Sequence, residues 1–411
     1  MQNSTRHSTV NRIPILALFS ANAISMVGNI FTAIAIPWYV LQTTGSATQT
    51  GITGFFNVLP IVLAGIFGGA LIDRIGYKST SVISDLSSGV AVALIPIFYA
   101  TVGLPFWGLM ALVFLGALLD APGSTARSAL IPELAELAGM PIERATSANQ
   151  VIERSSRLIG APLAGLLITV MSTSNVLWLD AASFILSAAL VGFLIAGSHE
   201  KVRAAGNDKY INELSAGLKF LVHDRLILAI VVTVMITNFL DSAFAGVIRP
   251  VYVNQVFGSA FTLGLIIAAN GGGAVLGAIV FGMVGHRLPR HLTFYLMFML
   301  TGLRFFVYLL YPPLWVIILA TFIFSIGAGP LNPIIDSVEY ERVPANMRGR
   351  VFGTITAGAW VAMPLSLLVG GILTEKFGVS PMLFVIGCAY LATTVSMAAI
   401  PSMREMDKQR V

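Results

Sequence analysis

The sequence predicts an all-α membrane protein of twelve transmembrane helices in two six-helix bundles, with both termini cytoplasmic. Three observations carry that reading. Residues are 56% hydrophobic and only 10% charged, with a mean hydropathy of +0.85, more apolar surface than a water-soluble core can hide. Apolar stretches of about 20 residues, the length that crosses a bilayer as a helix, recur along the whole chain. One residue pattern also returns at a fixed offset, so the chain is built twice over.

The apolar stretches start near residues 14, 50, 79, 104, 146, 177, 226, 259, 292, 314, 350 and 379. Their runs are continuous and lack the period-two alternation of barrel strands, so they are helices. Residues 1–13 are short and polar, with no small-residue cleavage site after the first stretch, and read as a cytoplasmic tail. The bundles occupy 14–197 and 226–400, joined by a cytoplasmic linker over 198–225 and followed by a second tail over 401–411.

Basic residues fix the expected orientation. Of the 24 Lys and Arg, most fall in the tails and in loops after even-numbered stretches, among them Arg12, Arg74, Lys78, Arg127, Arg144, Lys201, Arg287, Arg342, Arg348, Arg350 and Arg404. Loops after odd-numbered stretches hold only Lys376. The positive-inside rule then places both termini in the cytoplasm, as an even helix count requires. The net charge of +5 is therefore a topology signal, and no nucleic-acid partner is expected.

The repeat has a constant offset. Pro37, Tyr39, Val40, Gln42, Gly45, Ser46 and Ala47 recur as Pro250, Tyr252, Val253, Gln255, Gly258, Ser259 and Ala260, and Gly51, Gly69 and Arg74 recur as Gly264, Gly282 and Arg287. Two bundles in the same orientation follow, the parallel-repeat plan of many secondary transporters. Within the linker, Tyr210, Ile211, Leu214, Leu218 and Leu221 have the spacing of an amphipathic helix lying on the membrane surface; a solvated linker is the plainer reading. No other polar stretch is long enough for a soluble domain, and no Gly-x-x-x-x-Gly-Lys-Ser/Thr loop occurs, so ATP-driven transport is not expected. The single cysteine, Cys388, forms no intramolecular disulfide and no cysteine metal site.

Between the second and third stretches stand Gly69, Leu71, Asp73, Arg74, Gly76 and Lys78. Gly69 permits close helix packing, Gly76 a tight turn, and Asp73 can meet basic residues or a helix N-terminus. The spacing resembles the signature loop of the major facilitator superfamily, and the resemblance implies a latch that shuts the cytoplasmic side. In the second half the loop is degraded: Gly282 and Arg287 remain, but His286 replaces the acid and Pro289 the second glycine. The implied latch is asymmetric, and a solvated loop histidine is the plain reading of His286.

Two further stretches, Asp120 to Pro132 followed by Ala148 and Asn149, and Pro344 to Gly353 with Arg348 and Arg350, are similar to the branch that includes macrolide efflux proteins and the enterobactin exporter. In the fifth stretch, Gly160, Pro162 and Gly165 are similar to the antiporter signature of drug exporters, with Ala161 where that motif has glycine. Helix packing and kinking explain the same residues without reporting direction.

Ionisable groups inside apolar stretches supply the mechanistic candidates, because each costs at least about 2.5 kcal/mol at mid-membrane. Asp241 lies near the middle of the seventh stretch, with Asn238 one turn before it and Ala245 and Arg249 following at helical spacing. It is the leading proton carrier, with a static pair to Arg249 as the alternative. In the fifth stretch Asn149, Glu153 and Arg157 follow at intervals of four beside Arg154; Glu153 and Arg157 make good helix geometry, and Asp120 is placed to neutralise Arg154 or Arg157. Asp85 is grouped with the latch. Asp180 and Arg304 are assigned to periplasmic helix ends, where long side chains reach water, and Asp336, Glu339 and Glu341 to the cytoplasmic end of the tenth stretch. With 25 Phe and 15 Met, a soft apolar cavity suits amphiphilic ligands better than sugars, unless those residues face lipid.

The expected protein is a monomeric secondary exporter of small amphiphilic compounds, drugs, macrolides or siderophores, in the bacterial cytoplasmic (inner) membrane. It alternates access to a site between the bundles near the midplane. Its partners are the substrate, protons and the lipid bilayer. It needs no cofactor and no metal, and the proton gradient is its energy source. A lipid flippase, and import or uniport on the same fold, stay open. A non-transporting scaffold and an enzyme are disfavoured, the latter because no nucleophile elbow or metal-spaced histidine cluster occurs.

Overall fold

The computed structural model describes residues 11–195, 215, 217–344 and 347–407, and for 65–74 the backbone alone. The described residues are helical, with no strand among them. The long helices among the described residues are, in order, α1 Ile13–Thr44, α2 Ala47–Ile75, α3 Tyr77–Thr101, α4 Phe106–Leu137, α5 Ile142–Met171 and α6 Thr173–Leu194, then α7 Arg225–Val256, α8 Ala260–Val284, α9 Arg290–Leu309, α10 Leu314–Arg342, α11 Arg350–Phe377 and α12 Val379–Ala398. Eleven are long and apolar enough to cross a membrane. The exception is α5, whose 30 residues make it about 45 Å long but which carries Glu143, Arg144, Glu153, Arg154 and Arg157 between its start and its middle.

Local chemistry sets the helix ends. Asp224 caps α7, its carboxylate accepting from the Leu226 and Ile227 N–H groups at 3.0 and 3.1 Å, which satisfies two of the donors a helix start leaves orphaned. The repeated glycines Gly45 and Gly258 close α1 and α7 at φ of +66° and +63°. The sequence repeat is thus also a repeat of backbone conformation, in the left-handed region that glycine enters without strain. Gly76, between α2 and α3, has φ +88°, the turn expected of it. Inside α7, residues Phe244–Ile248 form a π turn; such bulges insert a residue and rotate everything that follows.

Chain contacts divide the described residues into two compact units, one of 11–35, 59–160 and 170–195, the other of 36–58, 161–169 and the residues from 215 onward. The core of the first includes Ile15, Leu18, Leu130, Leu134, Val191 and Ile195, drawn from α1, α4 and α6. In the second, Leu221 packs with Ile227, Val231, Val343, Val351 and Ile355. Of the predicted linker helix, 217–223 is helical, with Leu221 buried and Leu218 exposed; Tyr210, Ile211 and Leu214 lie outside the described residues.

The outward faces are apolar: Phe193 is 88% exposed, Val170 73% and Trp107 64%. Patches of that kind are tolerated against lipid and not in water.

Candidate functional site

In the first unit the buried charge centres on Arg127, which sequence spacing had placed in a loop. It lies inside α4, 2% exposed, paired at 2.5 Å with Asp85 of α3, which is fully buried. The partners around this pair come from α1 and α6. Arg127 donates through Nε to Asn22 Oδ1 of α1 at 2.8 Å and through Nη2 to Ser25 Oγ at 3.3 Å. Ser187 of α6 donates to the second Asp85 oxygen at 2.6 Å. Asn22 in turn donates to Asn149 of α5 at 2.9 Å. One guanidinium and one carboxylate therefore join five helices, a satisfied buried pair of the kind that specifies packing. Asp85, grouped by sequence with the latch, thus pairs with Arg127, and Asn149 joins this network through Asn22.

Asp120, on α4, accepts from Asn29 of α1 at 3.0 Å, and its other oxygen is buried without a partner. It does not neutralise Arg154 or Arg157. Those two are exposed, and Arg157 reaches Glu153 at 3.1 Å on the surface of α5. Asp180 is 1% exposed and accepts from Thr32 and Ser183, with no cation paired to it among the described residues. Burial, in place of the expected snorkelling, follows from Gly28 of α1, where the missing side chain leaves room for Asp180 and Ser183 to press in.

In the second unit Asp241 forms an ion pair with Arg304 of α9. The alternative partner, Arg249, instead donates to the Ala245 carbonyl at 3.4 Å. Arg304 is buried, its guanidinium 4.9 Å from the Phe305 ring centre and 5.6 Å from that of Phe244, and its Nε has no hydrogen-bond partner. Arg304, too, was expected at a watery helix end. Asn238 donates to the Ala359 carbonyl of α11 at 3.0 Å. The Asp241 side chain remains one-third exposed against 6% for Arg304. The acid thus opens to space while the base is enclosed by aromatic rings, so a proton or a cationic ligand can compete with Arg304 for the carboxylate.

Of the predicted latch, the side chains of Gly69, Asp73 and Arg74 lie outside the described residues. Lys78 is half-buried in the first turn of α3. Arg287 donates to His286 at 3.2 Å. Arg348 donates to the Tyr340 and Val343 carbonyls at 3.0 and 3.4 Å and lies over the Tyr340 ring, closing the C-terminal end of α10 where a cation is favoured. Arg350 is exposed, and its carbonyl accepts from Thr354.

Two matched crossings occur inside the second unit. A side chain at Gly51 of α2 would strike the Leu367 carbonyl and Gly371 of α11, and one at Gly264 of α8 would strike the Ala161 carbonyl and Pro162 of α5. Gly165 meets Ala260 and Phe261 of α8, while Gly160, in the first unit, lies against Ile30. The glycines of the antiporter-like stretch therefore sit at close helix contacts. Beside the first crossing Glu375 of α11 accepts from the Ser46 hydroxyl and the Thr48 N–H, both at 3.0 Å. No sequence signal marked Glu375, because its partners are more than three hundred residues away.

Comparison with known proteins decides the family. The model of the Major Facilitator Superfamily matches residues 18–241 and again 231–409. The chain belongs to the major facilitator superfamily. The double match repeats at family level what the internal repeat shows within this sequence. The superfamily member named multidrug efflux pump Tap, from Mycobacterium tuberculosis, is 28% identical over 401 residues, 97% of this chain and 96% of that protein. Macrolide efflux protein A from Streptococcus pyogenes is 19% identical over 402 residues, covering 96% and 98%. Among solved structures, the nucleoside transporter NupG superposes with a TM-score of 0.74 at 13% identity, over 94% of this chain and 98% of that one. A bacterial homologue of ferroportin in an inward-facing state gives 0.72 at 14%, over 95% and 99%. These structures show that the fold is shared. The chain is a multi-pass membrane protein of the transporter class.

Proposed function

We propose that this transporter exports small amphiphilic drugs, macrolides among them, from the cytoplasm in exchange for protons, from a place in the bacterial inner membrane with both termini inside. All twelve helices span the bilayer in this reading, α5 with its charged first half turned from lipid. The observation that carries it is the Asp241–Arg304 pair, an acid open on one side and held by a buried arginine on the other. Resemblance over nearly the full chain to proteins named for multidrug and macrolide efflux supports the substrate class.

In the resting state Arg304 neutralises Asp241. A proton arriving at the exposed side of Asp241 removes the negative charge and loosens the pair. Return of the proton restores the carboxylate, which a cationic amphiphile and Arg304 then contend for. Coupling follows from that competition, since proton and substrate are not accommodated together, and access alternates between the two membrane faces as one replaces the other.

The test is uptake of a labelled macrolide and of a lipophilic cationic dye into proteoliposomes carrying the purified chain, with and without an imposed pH gradient, acid inside. Accumulation that requires the gradient supports the proposal. Equal movement with the gradient collapsed makes the protein a uniporter and defeats it.

A further inference from the structure

A groove of about 740 Å³ runs between α7 and α12, away from Asp241 and its partners. On α7 it is lined by Arg225, Leu228, Val232 and Ile236, which recur at three or four residues and so form one stripe. The facing wall is Thr393, Ser396 and Ile400, closed at the end by the 3₁₀ helix Pro401–Asp407 with Arg404 and Glu405. From Arg225 to Ile236 the stripe rises about 16 Å, close to the roughly 15 Å hydrocarbon depth of one leaflet. The groove is thus basic at one end and apolar along its α7 stripe.

At the basic end the one lining carboxylate, Glu405, is already held by Arg342. Four carboxylates lie in this region, and each is engaged elsewhere: Asp224 and Glu405 both hold Arg342, Glu341 holds Arg290, and Asp407 holds His291. Neither Arg225 nor Arg404 forms an ion pair among the described residues. The Ser402 hydroxyl donates to the Arg225 carbonyl at 3.4 Å, which ties the 3₁₀ helix to the start of α7 and keeps both arginines at one mouth.

We infer that this groove binds one anionic glycerophospholipid, its phosphodiester between Arg225 and Arg404 and an acyl chain along Leu228, Val232 and Ile236. Charge complementarity selects the headgroup, and the match to leaflet depth selects a chain over a compact solute. Basic pockets between transmembrane helices on the cytoplasmic side hold anionic headgroups for the same reason. The lipid would brace the two helices that flank the Asp224–Arg342–Glu405 triad. The inference rests on the membrane reading and is independent of what is transported.

Native mass spectrometry of the full-length chain tests it, with phosphatidylglycerol and phosphatidylcholine of identical acyl chains offered at equal concentration. The expected result is a bound-lipid population several-fold richer in phosphatidylglycerol. That preference drops about fivefold for each of Arg225→Gln and Arg404→Gln, while Ala229→Trp, which fills the apolar part of the groove, lowers the adducts of both lipids. Equal binding of the two lipids by the wild-type chain overturns the site, a result that needs no variant to fold. So does a preference that survives both glutamine substitutions together. Loss of the phosphatidylglycerol adduct to an equal concentration of inorganic phosphate reduces the site to a bare anion site and also overturns it. A chain that transports yet shows no lipid preference sinks this inference alone; one that shows the preference but transports nothing sinks the proposed function alone.

Discussion

Asp241 of α7 pairs with Arg304 of α9, 63 residues further along the chain, and not with Arg249, eight residues away on its own helix. The π turn at Phe244–Ile248 stands between the two α7 residues. At the position of Asp241 in the repeat, the first half has Gly28, and there the buried acid is delivered from α6 by Asp180. Both halves thus carry a carboxylate at the same level of their first helix, supplied by different elements. Of these two acids, only Asp241 has an arginine paired with it among the described residues.

Replacing Arg304 with glutamine leaves Asp241 facing a neutral partner and Phe305 without its cation. Losing one member of a buried pair costs about 3–5 kcal/mol; with Asp241 one-third exposed, about half of that is expected. Thermal unfolding followed by tryptophan fluorescence reads it, and an unchanged midpoint would show that the pair is not formed.

Arg127 and Asp85 form the fully enclosed counterpart. Arg127→Ala and Asp85→Ala should each cost about 3–5 kcal/mol, and the double variant clearly less than the sum, since neither charge is then stranded. Additive losses in that cycle contradict the network joining α1, α3, α4, α5 and α6.

Substituting Gly51 with valine drives a side chain into the Leu367 carbonyl and Gly371. Overpacking of that kind costs about 1–3 kcal/mol, and Gly264→Val should cost a similar amount at Ala161 and Pro162. Wild-type stability in both variants would mean that the crossings are looser than described.

Asp407, beyond the last span, gives a dependence on pH. Burial alone raises its carboxyl, but the His291 backbone N–H and ring outweigh burial and hold it below the usual carboxylate range. A carboxyl depressed in the folded state contributes stability above its unfolded value, near 3.8, and loses that contribution as pH falls through the folded one. Proteolysis of the segment after α12 should therefore accelerate below about pH 4, and Asp407→Asn should be equally susceptible at neutral pH. Susceptibility that does not change between neutral pH and pH 3 contradicts the His291 contact.

Helix existence, the duplication and the family were readable from sequence because they rest on composition and fixed spacing. Gly45 and Gly258 match in sequence and share one backbone conformation. Pairing between helices was not readable. Asn22, Asn149, Asp85 and Arg127 sit on four helices, and nothing in linear spacing says which faces turn together. Arg127 was counted with the loop cations, yet it lies inside α4 together with Pro122 and Pro132. Asp180 and Arg304 were set aside for a related reason: depth along a helix was legible, but what lies beside it was not. The charges in the early part of α5 keep it out of the eleven apolar spans, although its later part was legible as the fifth apolar stretch.

The most direct test of the account follows proton release with a pH-sensitive dye in everted vesicles made acid inside, as macrolides and cationic dyes are added to the wild-type chain and to Asp241→Asn. Release on addition of substrate by the wild type, absent in a folded Asp241→Asn variant, is the predicted result. Equal release by the two proteins would contradict the assignment of coupling to Asp241 and move it to another buried acid, Asp180 or Asp120 first.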